Sequence, residues 1–376
     1  MFELFGYEVK KMLHKPLVWA SLLSLLFCCG LMLVNWVMPG YNSVQEDVNG
    51  KKVILEGHAA VLRNQEIVRL YEGPLTTQKV RDIIETYSFS EAMMRDEHMD
   101  ADRQKDYLHN TLYDSLARYG FVRPDGSYNG TAVEDVFGTL TPDLILGYSC
   151  GWENTLYALA YIFLTWGCVL VIILSPVFSE EYTKGMDALI LTGSEGRKKC
   201  PIAKIAASFA VSLGGSVILL GGFFLIMLAY HGPEGLHASI QLGYLGFLNE
   251  APYVLSWGKA FAFACLLWLG GIIVLTATIL LVSAAAKSSF SALVISFALF
   301  SVPLFIPWGS FPPLLRLIGA LFPINQMQLQ GIFFLDKLAL GSYELSAMWA
   351  ALPVAAAAII VGTLLPKRCF ARHQVM

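Results

Sequence analysis

The 376-residue chain is 56% hydrophobic and only 15% charged, with a mean hydropathy of +0.56 and a formal net charge of −3. A soluble domain carries about 25% charged residues, so the composition excludes an ordinary soluble domain and indicates a membrane protein, with no nucleic acid expected among its partners. The charge is uneven: residues 38–155 hold nineteen acids and eleven bases, and the remainder holds ten acids and fifteen bases, which sets an acidic soluble block into a slightly basic membrane body.

Residues 2–15 carry Phe2, Phe5, Val9 and Met12 on one helical face, with Lys10, Lys11 and Lys15 toward the membrane. That pattern suits an interfacial helix lying on the bilayer surface. The apolar run Leu17–Val37 is longer than the core of a signal peptide and has no Ala-x-Ala-like exit, so it reads as a retained first span.

The block 38–154 reads as a small, mainly helical domain. Lys51-Lys-Val-Ile-Leu55 after Asn49-Gly50 reads as a strand following a turn. Thr76 or Thr77 can cap a helix bearing Val80, Ile83, Ile84 and Tyr87. A second helix is expected over Asp102–Tyr119, with Leu108, Leu112 and Leu116 on one face, and Arg123-Pro-Asp-Gly-Ser reads as a turn. Of the seven cysteines only Cys150 falls in this block, so no disulfide is expected within it. Asp96-Glu-His98 reads as a solvated charged face and not as a metal site.

Five further spans follow, over Thr155–Leu174, Ile202–Tyr230, Ala260–Ala286, Phe290–Pro307 and Ala347–Leu365. The expected architecture is therefore an all-α polytopic membrane protein with six transmembrane helices, the interfacial helix and the domain 38–154. Its parts are 1–37 (interfacial helix and first span), 38–154, and a five-span core over 155–376. Within 308–346, Phe311–Phe322 and Gly331–Leu340 read as short helices at one membrane face, separated by a break at Pro323 and the polar run Asn325-Gln-Met-Gln328. In the six-span arrangement twelve Lys/Arg of the short loops and tails fall on one side and three on the other. The positive-inside rule then places both termini in the cytoplasm and 38–154 outside.

The polar segment 178–204 is long for a connector and has a helical pattern of its own. The chain contains no Walker A sequence, no His-Glu-x-x-His and no Gly-x-Ser-x-Gly. It is expected not to be an enzyme, to bind no cofactor and to hold no metal. Its spans are nearly free of ionisable side chains, against the habit of ion-coupled carriers, and this points to a conduit whose energy comes from elsewhere.

With Glu181, Gly185, Leu189-Ile190-Leu191, Thr192, Arg197 and Lys204 at their spacings, the segment resembles the cytoplasmic loop between the second and third spans of type-2 ABC exporter permeases. Ser194 stands where that family usually has proline, with Gly193 and Gly196 placed to make the same turn. The resemblance covers most of the chain except 38–155, and a large external insertion after the first span is similar to one subgroup of the family. It implies that the loop is a coupling helix docked on a separate cytoplasmic ATPase subunit. Met186, Leu189, Ile190 and Leu191 would make the apolar contact, and Glu180, Glu181, Asp187, Arg197, Lys198 and Lys199 would form the rim, with Gly185 and Lys204 marking the register. It also implies ATP-Mg on the partner, a second permease chain (identical or paralogous), and export of an unidentified substrate. The alternative is a membrane receptor or resistance module that binds an external peptide or partner and is reset by an ATPase without transport.

Overall fold

The computed structural model describes residues 2–38, 44–48, 51–55, 57–87, 111–124, 126–193, 196–335, 338–340, 343–345 and 347–371. The chain is a polytopic, mostly helical membrane protein. Among the described residues five helices are long and apolar enough to cross a bilayer: Pro16–Val37, Cys150–Thr183, Lys199–His231, Trp257–Ala285 and Trp349–Phe370. The expected fifth span is shorter, a 13-residue α-helix Ser289–Ser301 continued by a four-residue 3-10 stretch Val302–Phe305. Ser288 caps its start by accepting the Ser291 N–H at 3.2 Å. Pro303 lies within the 3-10 stretch, where its missing N–H hinders an α-helical ladder. The seven cysteines are all free thiols.

The chain divides into two compact units. The first comprises Met1–Leu31, Leu159–Gly222 and Phe263–Met376. Its helices pack through small residues, as helices in lipid do when no apolar solvent difference drives them together. A Cβ on Gly362 would stand 2.5 Å from the Ala277 Cβ, and a Cβ on Gly215 would enter the Trp166 ring. Trp166 Nε1 then donates to Ser216 Oγ at 3.0 Å. Phe163 stacks on Trp268 with ring centroids 5.0 Å apart, and Trp268 Nε1 donates to the Met327 carbonyl at 2.9 Å.

Also in this unit, Pro313–Ala320 is helical as expected within Phe311–Phe322. Two other expectations are corrected. The break falls at Leu321-Phe322, directly before Pro323, but the run Asn325–Gln328 is not part of it: Pro323 starts a helix, Pro323–Gln328, because its fixed φ suits the first helical turn. A second interruption falls at Leu329, a buried residue held at φ +63, which is a costly conformation for a side chain branched at Cγ. A helix over Gly331–Leu340 does not form either. The helix Gln330–Phe333 stops there, and Leu338–Leu340 pairs antiparallel with Tyr343–Leu345. The pairing joins Leu340 to Tyr343.

The second unit comprises Met32–Ala158 and Phe223–Ala262. Strand Val44–Val48 pairs with Lys51–Leu55 in the register Val48↔Lys51. Helix Thr77–Tyr87 is capped by Thr76, whose hydroxyl accepts the Lys79 N–H at 3.3 Å, and it buries Val80, Ile83 and Ile84. Helix Thr111–Arg118 buries Leu112 and Leu116; the expected portion 102–110, with Leu108, lies outside the described residues, as do Asp96-Glu-His98. The turn after Arg123 closes with Gly126 N–H to the Arg123 carbonyl at 2.9 Å and Arg123 N–H to the Ser127 carbonyl at 2.8 Å. These elements share one core with Val61, Phe121, Val133 and Leu144.

The segment after His231 reads in the sequence as a connecting loop, yet Leu242 and Tyr244 belong to that same core. Ser115 donates to the Leu242 carbonyl at 2.9 Å. The buried Glu153 carboxylate accepts the backbone N–H groups of Leu245 at 3.1 Å and Phe247 at 3.0 Å. Gly243 permits this approach: a Cβ there would lie 2.6 Å from a Glu153 oxygen. Buried His231 meets the Val37 carbonyl at 2.7 Å through Nε2 and the Tyr148 hydroxyl at 3.0 Å through Nδ1.

Candidate functional site

The candidate site is the polar loop 178–204 and the base on which it stands, all within the first unit. The helix Cys150–Leu174 passes through Ser175 into Pro176–Thr183. Proline has no N–H and its ring crowds the carbonyl four residues back, so the ladder breaks here. Ser283, from Trp257–Ala285, fills the breach. Its hydroxyl donates to the Ser175 carbonyl at 2.6 Å and accepts the N–H groups of Phe178 at 3.0 Å and Ser179 at 3.3 Å.

The helix ends on Gly185 at φ +64. The Gly185 N–H reaches the Tyr182 carbonyl at 3.2 Å and the Met186 N–H reaches the Glu181 carbonyl at 2.9 Å. This is the paired closure that a glycine in the left-handed region allows at a helix end. A six-residue helix, Asp187–Thr192, follows directly. The next turn depends on small residues: Gly196 N–H bonds the Gly193 carbonyl at 3.1 Å, and a Cβ on Gly196 would overlap the Ile190 carbonyl. Ser194 lies outside the described residues.

Beneath the short helix is a cluster of charges. Lys204, fully buried, donates to Glu181 at 2.9 Å and to Glu8 of the amino-terminal helix at 3.0 Å. Lys11 meets the same Glu181 oxygen at 2.6 Å. Beside it, Glu180 takes Lys15 at 2.5 Å and Lys184 at 2.8 Å. The Glu180 carboxylate raises the Lys184 ammonium above its ordinary value through that hydrogen bond. Lys204, Glu181, Glu8 and Lys11 make two acids and two bases, so the buried part is neutral as a set. A lysine at this depth persists only when such partners replace its water. The cluster ties three chain segments together: the amino-terminal helix Phe2–Leu13, the end of Pro176–Thr183 and the start of Lys199–His231.

The loop residues singled out in the sequence therefore separate into two groups. Glu180, Glu181 and Lys204 face the charge cluster, Asp187 is buried, and Gly185 makes the turn. Met186 and Leu189 are exposed, Leu189 to 70%, as are Arg197 and Lys198. Ile190 is half-buried, and the Leu191 side chain lies outside what the structure describes. Glu181 and Asp187, expected at an exposed rim, are inside instead, and Glu181 is there because two lysines draw it in.

Glu8, Lys11 and Lys15 are the residues that sequence reasoning missed. The two lysines read there as membrane-flanking charge. Glu8 gives a faint signal: it is four residues from Met12, on the face that the helix buries. Among the described residues no group of three His, Cys, Asp or Glu side chains is arranged to hold a metal ion. No protein-family model matches the chain, and no curated protein matches it.

Proposed function

We propose that the chain is the membrane subunit of an ATP-driven exporter of the type-2 ABC kind, with Asp187–Thr192 as the helix that docks on a separate cytoplasmic ATPase. The observation that carries this reading is the division of the loop into an exposed apolar tip and a rigid charged base. Met186 (44% exposed) and Leu189 (70% exposed) share the loop with exposed Arg197 and Lys198, whereas Glu181 and Lys204 bind the loop to the ends of two long helices. An apolar contact ringed by charge is the composition of a protein interface. A lever must also be stiff at its root, since a partner can move the spans only through contacts that do not yield.

In this reading the partner binds ATP-Mg, and this chain binds no cofactor and has no catalytic site of its own. Ser289–Phe305 serves as a sixth, shorter crossing. Both termini lie in the cytoplasm, and the compact region formed by 38–154 with 231–259 lies outside. One chain offers one docking helix, and ATPases of this kind act in pairs, so two permease chains assemble together.

Replacing Met186 and Leu189 together by aspartate tests the docking surface. The tagged full-length variant is expected to insert and melt as the parent does, because both side chains are exposed. Its co-purification with an ATPase identified by mass spectrometry from its own Walker A peptide is expected to fall at least tenfold, as loss of an apolar hot spot of about 2 kcal/mol would produce. Undiminished co-purification contradicts the docking assignment.

A further inference from the structure

A cavity of about 400 Å³ lies among the short helices of the first unit, lined in part by Ile306, Trp308, Arg316, Asn325, Gln328 and Phe334. That volume is within the range of about 300–1,000 Å³ usual for ligand pockets. Its aromatic wall is fixed. Trp308 Nε1 donates to the Pro303 carbonyl at 2.8 Å, its ring stacks on Phe322 at 5.6 Å between centroids, and a Cβ on Gly319 would run into the ring. Asn325 is fixed as well, donating to the Gly319 carbonyl at 2.7 Å. Gln328 and Gln330 flank Leu329, whose backbone is held at φ +63.

Arg316 is the one cationic side chain in this lining. Its Nε is buried and has no hydrogen-bond partner, and among the described residues no carboxylate pairs with its guanidinium. A buried guanidinium N–H without an acceptor is costly, and an anion in the cavity supplies one. The surroundings say which kind of anion. Leu314 on the same helix is 60% exposed and Phe305 80% exposed, with Ile318 and Val302 also outward, so the cavity sits in a surface made for hydrocarbon. A free phosphate would gain one bidentate contact against its full hydration. An amphiphile gains that contact and the apolar wall as well.

We propose that this cavity holds the phosphodiester head of an anionic membrane phospholipid, with Arg316 pairing with the phosphate and Trp308 lining the glycerol and first methylenes. Basic pockets among membrane helices take anionic head groups in this way, and tryptophan is suited to the head-group level. The proposal needs only that the chain spans a bilayer, and it stands or falls separately from the ATPase assignment.

The test is quenching of Trp308 fluorescence in the full-length protein in neutral detergent, titrated with brominated phosphatidylglycerol. The Trp308 signal is obtained as the difference from the Trp308→Phe variant. Saturable quenching by brominated phosphatidylglycerol is expected, weakened at least tenfold in Arg316→Gln and less in Arg316→Lys, which keeps the charge but loses the bidentate fork. Brominated phosphatidylcholine is expected to bind at least tenfold more weakly than phosphatidylglycerol. Equal quenching by both lipids, or quenching indifferent to Arg316→Gln, overturns the proposal. Displacement by millimolar inorganic phosphate shows a site for the free anion and overturns the lipid assignment. If Arg316→Gln misfolds, as judged by gel filtration, the comparison of the two lipids on the parent protein decides alone.

Discussion

Lys204→Ala is expected to lower the melting temperature of the detergent-solubilised protein by about 4–6 °C. The lysine is fully buried, and its removal leaves Glu8 without its charge partner at 6% exposure. Breaking a buried ion pair from one side costs about 3–5 kcal/mol, because the surviving charge keeps its desolvation penalty and loses its compensation. Lys11 continues to neutralise Glu181, which places the loss toward the lower end. A domain has only about 5–15 kcal/mol in total, so even that is a large share.

Removing both charges of the broken pair separates charge from volume. Lys204→Met combined with Glu8→Gln leaves Glu181 with Lys11, and is expected to recover most of the lost melting temperature. A Lys204→Ala protein that melts within about 2 °C of the parent would show that the cluster does not hold the loop to its base.

The second large effect is expected at the helix break. Ser283→Ala removes the acceptor of the Phe178 and Ser179 N–H groups and leaves the Ser175 carbonyl with the Ser179 hydroxyl alone, at 2.8 Å. Each buried group left without a partner costs about 1–3 kcal/mol, and local closure of the ladder should recover part of the sum. A net loss of about 2–4 kcal/mol is expected in reversible unfolding by denaturing detergent. The origin of the break supplies the control. Pro176→Ala restores the missing N–H and removes the ring that opens the ladder. In Pro176→Ala with Ser283→Ala the helix can close on itself, so the double variant should lose less than Ser283→Ala alone, a non-additivity of more than about 1 kcal/mol. Strict additivity would mean that the serine acts elsewhere.

The membrane character and the long helices were legible because a bilayer demands length and hydropathy, and both are properties of a sequence window. The helix Thr77–Tyr87 was legible for the same kind of reason, since its cap and its apolar spacing are local. The charge cluster was not. Glu8 and Lys204 are joined at 3.0 Å across 196 positions, and each alone looks like flanking charge. Gly185 and Arg197 were found as spacing in a polar loop, but which loop residues turn inward depends on where Lys11 and Lys204 lie. The segment after His231 was misread as a connector because the buried core that Leu242 and Tyr244 join is otherwise built from residues of 60–150, far earlier in the chain. Leu329 shows the converse, because nothing in the sequence marks a leucine for a positive φ. The surrounding packing imposes it.

The account as a whole rests on what touches the tip of Asp187–Thr192. A photo-crosslinking amino acid at Leu189, exposed on that helix, reads the contact in intact membranes, with Ile145 of the second unit, also exposed, as the control position. The expected result is an adduct from position 189 containing a Walker A peptide, altered in yield by ATP, and no such adduct from position 145. An adduct with an ATPase from position 145, or membranes in which position 189 captures no ATP-binding protein while the parent complex still hydrolyses ATP, would contradict it.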